Sequence, residues 1–207
     1  MGALYAVRGD LTRHRERCGQ ELGEARGEII VPAGKKLQLC VSKESSGDLS
    51  PLATLPPSAL QMLCFDGPQK VTDKQLVHIS GLWNLEYLNL SETAVSDEGI
   101  RHLGEMIELR ALLLSKTCIS DAGLLSLEKM TKLRYLDLST TLVRDPSLRN
   151  IQTLTALEVL WLPCYLLDEA DHRTLQAALP NRSTQILYEE CCHFHLDLLR
   201  LRANLLR

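Results

Sequence analysis

Two apolar rhythms take turns along the central part of the chain. In Leu85-Glu86-Tyr87-Leu88-Asn89-Leu90 the apolar Leu88 and Leu90 alternate with Tyr87 and Asn89, which is the period of a strand with one buried face. Ile100, Leu103 and Met106 or Ile107 then recur at helical spacing. An offset of 24 residues superimposes this pattern on itself without a gap, in four units that start at Val71, Val95, Ile119 and Val143 and cover residues 71–166. Ile79, Leu103, Leu127 and Ile151 share one column, and Leu82, Met106, Met130 and Leu154 the next. Then come Leu85, Leu109, Leu133 and Leu157; Leu88, Leu112, Leu136 and Leu160; and Leu90, Leu114, Leu138 and Leu162. Each unit predicts a strand, a turn and a helix. One unit alone cannot bury its leucines. Stacked units make parallel strands over a continuous core, so the expected fold is an α/β solenoid with strands on the concave face and helices on the convex face.

The polar positions place the ends of the elements. Asp145 followed by Pro146 marks a helix start, because Pro suits the first helical position and Asp the cap before it. By the repeat, Asp73, Asp97 and Asp121 are expected to cap the equivalent helices, which gives these recurring carboxylates a structural use. Upstream, Leu60-Gln61-Met62-Leu63-Cys64-Phe65 is a degenerate unit, and Leu37, Leu39 and Val41 alternate like one more strand, so residues 37–70 are expected to form an N-terminal cap and first imperfect repeat. Residues 1–36 are glycine-interrupted and charged, with poor apolar periodicity, and are expected to be a mobile segment. Downstream, residues 167–207 are expected to be a degenerate repeat and C-terminal cap: Leu175 keeps the Ile79 column, Gln185-Ile186-Leu187-Tyr188 reads as a last strand, and His195 to Arg207 as an amphipathic closing helix.

At these columns the sequence resembles the leucine-rich repeat family, as in Leu85-Glu86-Tyr87-Leu88-Asn89-Leu90-Ser91-Glu92-Thr93 and Leu133-Arg134-Tyr135-Leu136-Asp137-Leu138-Ser139-Thr140-Thr141. It is most similar to the intracellular 24-residue subtype found in F-box-associated repeats, which shares the segments Val95-Ser96-Asp97-Glu98-Gly99-Ile100 and Ile119-Ser120-Asp121-Ala122-Gly123-Leu124. Where that family often has Asn or Cys, this chain has Thr93, Thr117 and Thr141, then Tyr165, so hydroxyls are expected to satisfy the buried backbone there. The resemblance implies a non-catalytic protein-interaction module. Its F-box side implies, as an alternative, a substrate-recognition subunit that meets a ubiquitin-ligase adaptor. For that alternative, Ala59-Leu60-Gln61-Met62-Leu63-Cys64 faintly resembles an elongin-binding box, with Pro68 in its final apolar place.

Composition adds to this picture. There are 43 leucines among 207 residues and only 9 aromatic ones, so the core must be aliphatic and repetitive. A net charge of −3 argues against a nucleic-acid binder. The start of the chain becomes charged before a signal-peptide core forms, and no stretch reaches the length of an apolar membrane span, so a cytoplasmic or nuclear location is expected. The cysteines, Cys18, Cys40, Cys64, Cys118, Cys164, Cys191 and Cys192, are odd in number and without CxxC spacing, and are expected to be reduced thiols. Cys191-Cys192-His193-Phe194-His195 is the one dense group of metal-ligand types, but adjacent strand residues point to opposite faces. No cofactor is expected. GxSxG, GxxxxGK[ST], HExxH and GxGxxG are all missing, so no enzyme activity is expected either.

The residues between the buried leucines are the candidate binding surface. One outward column is Tyr87, Ala111, Tyr135 and Val159; the second is Asn89, Leu113, Asp137 and Trp161. Both are less charged than a solvated face usually is. Interface hot spots favour Trp, Tyr and Arg, so Tyr87, Asn89, Arg110, Leu113, Arg134, Tyr135, Asp137, Trp161 and the neighbouring Tyr165 are the residues expected to meet a protein partner.

Overall fold

The leucine columns become the inner face of one sheet. In the computed structural model, which describes residues 3–7, 19–24, 36–42, 48–66, 69–144, 150–163, 173, 175–177, 179–181 and 183–188, each repeat contributes a short strand. The main strands are β1 (Ala3–Val7), β2 (Gly19–Glu24), β3 (Lys36–Ser42), β4 (Met62–Asp66), β6 (Tyr87–Asn89), β8 (Ala111–Leu113), β9 (Tyr135–Asp137), β10 (Val159–Leu162) and β11 (Gln185–Tyr188). A minor sheet pairs β5 (Gln69–Thr72) with β7 (Thr93–Ala94). From β3 through β11 every neighbour in the main sheet is parallel, in chain order, and Leu88, Leu112, Leu136 and Leu160 lie in direct register. Parallel neighbours need a crossover, and between β4 and β9 each crossover is the helical half of a repeat.

Those crossovers are shorter than the helical spacing suggests. α1 (Asp73–Leu76), α2 (Asp97–Arg101) and α3 (Asp121–Leu124) are single turns; α1 and α3 run on into 3-10 turns at Val77–Ile79 and Leu125–Leu127. With 24 residues to close a whole coil, little chain is left after the strand and its two turns. Leu76, Ile79, Leu82 and Leu85 of the first unit are buried, as are Ile100, Leu103, Met106 and Leu109 of the second. Met106, not Ile107, faces inward; Ile107 is exposed. One continuous cluster runs from Leu39 to Leu179 through all the columns. Each fully buried leucine contributes roughly 1.5–3 kcal/mol before chain entropy is set against it.

Three polar ladders repeat along the array, the first within each coil and the other two between coils. The buried hydroxyls of Thr93, Thr117 and Thr141 each donate to the carbonyl three residues back, of Leu90, Leu114 and Leu138, at 2.6 Å. This is the hydroxyl role that the sequence predicts. Ion pairs one repeat apart join Glu92 to Lys116, Glu105 to Lys129, Glu108 to Lys132 and Glu158 to Arg134 across the coil surfaces. Exposed as they are, such pairs contribute little each.

The third ladder corrects the expected caps. Thr72, Ser96 and Ser120 occupy the N-cap positions of α1, α2 and α3, and the aspartates are the first helical residues. Asp73 instead reaches into the next coil, where Oδ1 accepts from the Ser96 amide (2.8 Å) and Oδ2 from the Ser96 hydroxyl (2.6 Å). Asp97 does the same to Ser120, at 2.8 and 2.5 Å. Asp121 accepts from the Arg144 amide at 2.7 Å. Glycine makes room for this reach: a Cβ on Gly99 would stand 2.4 Å from Asp73 Oδ1, and one on Gly123 2.4 Å from Asp97 Oδ1. The Ser-Asp-x-Gly segments are therefore a joint between coils: Asp from one coil, Ser and Gly from the next. Asp145 and Pro146 lie outside the described residues.

At its N-terminal end the sheet changes direction. β1 pairs antiparallel with both β3 and β2, so Ala3–Val7 and Gly19–Glu24, within the segment expected to be mobile, are strands of the main sheet. β3 and β4 fall where the alternation of Leu37, Leu39 and Val41 and the degenerate unit predict strands. At the other end, the expected last strand is β11, parallel to β10, and Leu175 is buried in the core. Residues 189–207, with the expected closing helix and the cysteine–histidine group, lie outside the described residues.

Candidate functional site

The outward face of the main sheet is assembled from alternate strand residues, and the register brings them into rows. Met62, Tyr87, Ala111, Tyr135, Val159 and Gln185 form one row; Leu113, Asp137 and Trp161 belong to the next, between Asn89 and Leu187. Parallel strands lie about 4.8 Å apart, so large side chains in one row shade their neighbours. Met62, Tyr87, Ala111 and Leu113 are buried as a second apolar cluster, separate from the core, with Cys64 and Tyr135 packed at its margin. Tyr87 and Leu113 were expected as open contact residues. They are instead 6% and 8% exposed, and form the floor of the surface. Burial pushes the Tyr87 hydroxyl well above the ordinary phenol range, and the nearby Cys64, Cys40 and Asp137 add to the shift.

Tyr135 and Trp161 are half-buried on the same face, in adjacent rows of adjacent strands, and so keep part of their rings open to solvent. Asn89 and Asp137 are turned to their own loops. Asn89 Oδ1 accepts from the Ser91 amide at 2.9 Å, and Asp137 Oδ1 from the Ser139 amide (2.9 Å) and hydroxyl (2.6 Å). Such Asx turns end the strands and occupy one carboxamide or carboxylate oxygen. Arg110 and Arg134 sit at the strands' entry edge, where the backbone forms a continuous row: Arg110 N donates to Glu86 O, Arg134 N to Arg110 O, and Glu158 N to Arg134 O, each at 2.8 Å. Their guanidinium groups face Glu86 (3.3 Å) and Glu158 (2.5 Å). Tyr165 lies outside the described residues.

Residues of the upstream strands, absent from the sequence-based surface, extend this face. Gln38 and Cys40 of β3 stand beside Met62 and Cys64 of β4. Their signal was available, since Cys40 and Cys64 are one repeat apart, but only the register shows that β3 counts as a full row. Leu60 and Leu63, the apolar residues of the faint elongin-box likeness, are 1% and 0% exposed and so are committed to the core. Among the described residues there is no group of three or more His, Cys, Asp or Glu placed to hold a metal ion, and no helix is long and apolar enough to cross a membrane.

Solved structures of similar shape include an internalin, inlF, from Listeria monocytogenes: TM-score 0.51, 20% identity, covering 74% of this chain and 48% of that one. Internalins are leucine-rich repeat proteins. The fold is a leucine-rich repeat solenoid. A second internalin from the same species has TM-score 0.49 and 22% identity over 70% of this chain and 60% of its own length. This chain thus spans about half to three-fifths of the internalin structures it matches. No family model matches the sequence, and no curated protein does. The likeness is one of fold, and it agrees with the architecture read from the leucine columns. In such a solenoid the outward strand face is the concave one, where the rows of Tyr87 and Trp161 lie.

Proposed function

We propose that this leucine-rich repeat solenoid is a non-catalytic module that binds a protein partner on its strand face. The observation that carries the reading is the second apolar cluster: Met62, Tyr87, Ala111 and Leu113 form a preformed apolar floor outside the core, with Tyr135 packed at its edge and the half-buried Trp161 on the next strand. A floor already packed in the free protein costs a partner little ordering entropy, and its half-exposed rings are the side chains that dominate interface energies. Arg110 and Arg134, on the strands' entry edge, would form the polar rim. Recognition of a ubiquitin-ligase substrate would be one use of such a face, but its adaptor would need a surface other than Leu60 and Leu63.

The test compares Trp161→Ala and Tyr135→Ala with Leu125→Ala on the helical side, where Leu125 is 56% exposed. Partners captured from lysate by the immobilised protein are quantified by mass spectrometry, and circular dichroism checks the fold. A hot-spot truncation costs about 2 kcal/mol or more, so the strand-face variants should reduce capture by roughly 30-fold while Leu125→Ala does not. Equal capture by all three folded variants would remove the strand face from the function.

A further inference from the structure

We propose that Cys40 and Cys64 are a modification site: a dithiol that exchanges reversibly with small-molecule disulfides to form a bond between β3 and β4. The two cysteines are one repeat apart in sequence and directly opposite in the parallel pairing of β3 with β4. Neighbouring strands hold opposed Cα atoms about 4.8 Å apart, within the roughly 4.4–6.8 Å that disulfides span. The side chains already converge, with Cys40 Sγ 2.6 Å from Cys64 Sγ. Both residues are partly exposed, so a small reagent has access. Gln38, on the same face, donates its amide to both sulfurs, at 3.1 Å to Cys40 and 3.3 Å to Cys64, and so holds them on one side of the sheet.

The distance favours a disulfide over a shared metal ion. Two thiolates on one tetrahedral zinc stand about 3.8 Å apart, given Zn–S bonds near 2.3 Å. A disulfide needs about 2.05 Å, a closure of roughly half an ångström from the separation seen here. In the reaction, one cysteine thiolate attacks a co-reactant of the oxidised glutathione class. That forms a mixed disulfide and expels one glutathione thiolate. The second cysteine thiolate then attacks the protein sulfur of the mixed disulfide, closes the Cys40–Cys64 bond and expels the second glutathione. The two protein thiol protons end on the two glutathione thiols, and two electrons pass from the cysteine pair to the co-reactant. The bond would clasp the N-terminal strands to the first imperfect repeat, at the margin of the apolar floor where Cys64 packs.

The full-length protein is equilibrated in buffers of stepped reduced-to-oxidised glutathione ratio, trapped with N-ethylmaleimide and mapped by mass spectrometry. The expected result is a Cys40–Cys64 linked peptide, two hydrogens lighter than its reduced parts, which returns to two alkylated cysteines after dithiothreitol. Closing a loop of about 25 residues should raise Tm on the order of 10 °C in the oxidised protein. Cys40→Ser and Cys64→Ser should each lose both signals. Because the mapping is done on the unmodified protein, it stands even if a variant folds poorly. Full alkylation of both cysteines at every ratio overturns the proposal, as does linkage of either to another cysteine. Resistance to alkylation that a chelator abolishes overturns it in favour of a bound metal.

Discussion

Substituting Gly123 by alanine tests the joint between coils directly. The new Cβ would stand 2.4 Å from Asp97 Oδ1 and 3.1 Å from Ile119 Cγ2, where ordinary contact begins near 3.4 Å. The carboxylate is the softer obstacle, but it is tethered by the Ser120 amide at 2.8 Å and hydroxyl at 2.5 Å, and it cannot swing aside without breaking them. Hydrogen bonds to a charged group contribute roughly 1.5–3 kcal/mol each, and partial hydration of the half-buried Asp97 returns some of that. Alanine also gains about 1 kcal/mol over glycine in helix propensity. The balance is a loss of about 2–4 kcal/mol, read as a fall in the urea midpoint at constant slope. In an Asp97→Ala background the obstructing oxygen is gone. There Gly123→Ala should be neutral or stabilising by up to about 1 kcal/mol, a coupling of several kcal/mol in a double-mutant cycle. An equal loss in both backgrounds would refute the joint and place the cost at Ile119.

Two further outcomes follow from the backbone and from burial. Thr140 holds φ at 50°, a left-handed conformation that a β-branched residue adopts at a cost, so Thr140→Gly should raise stability by about 1 kcal/mol in thermal melts; a fall would mean that its side-chain contacts outweigh the strain. The raised pKa of Tyr87 has a definite sign: above about pH 10 the unfolded chain loses a proton that the folded one keeps, so stability falls with rising pH by about 1.4 kcal/mol per unit from this group alone. Tyr87→Phe should remove that component, with the two proteins' pH profiles parallel below pH 10 and separating above it. Profiles that stay parallel to pH 11 would mean that Tyr87 titrates as it does in the unfolded chain.

Much of the fold was legible because a solenoid writes its tertiary contacts into its period. Leu88, Leu112, Leu136 and Leu160 are neighbours in space because they are 24 residues apart, and the same offset placed the threonine ladder. Contacts that depend on direction were harder to read. Asp97 beside a helix start reads as a cap by helix-local reasoning, and only the structure shows its carboxylate serving a serine 23 residues ahead. The serine before Asp97 and Asp121, and the threonine before Asp73, were the unused signal. The N-terminal strands were missed because Ala3–Val7 gains its order from pairing with β3, and Gly19–Glu24 from pairing with Ala3–Val7, which no local periodicity records. On the strand face, alternation separated inward from outward positions but not exposed from covered ones. Tyr87 and Leu113 are outward and still buried, because shading across a parallel sheet depends on the size of lateral neighbours.

The aspartate joints also give the array a polarity. Every bond runs from a carboxylate in an earlier coil to donors in a later one. Cutting the solenoid on the C-terminal side of a coil therefore leaves a hydrated carboxylate at the new end, which water satisfies in full. A cut on the N-terminal side leaves a different wound: an amide and hydroxyl facing a notch beside glycine, shaped for a side chain that is no longer there. Shortened arrays that begin at Val95 and those that end at Leu142 are thus not equivalent pieces, even where they contain the same number of repeats. Coils grafted onto this solenoid would be better received at its C-terminal end, provided they bring the serine and glycine.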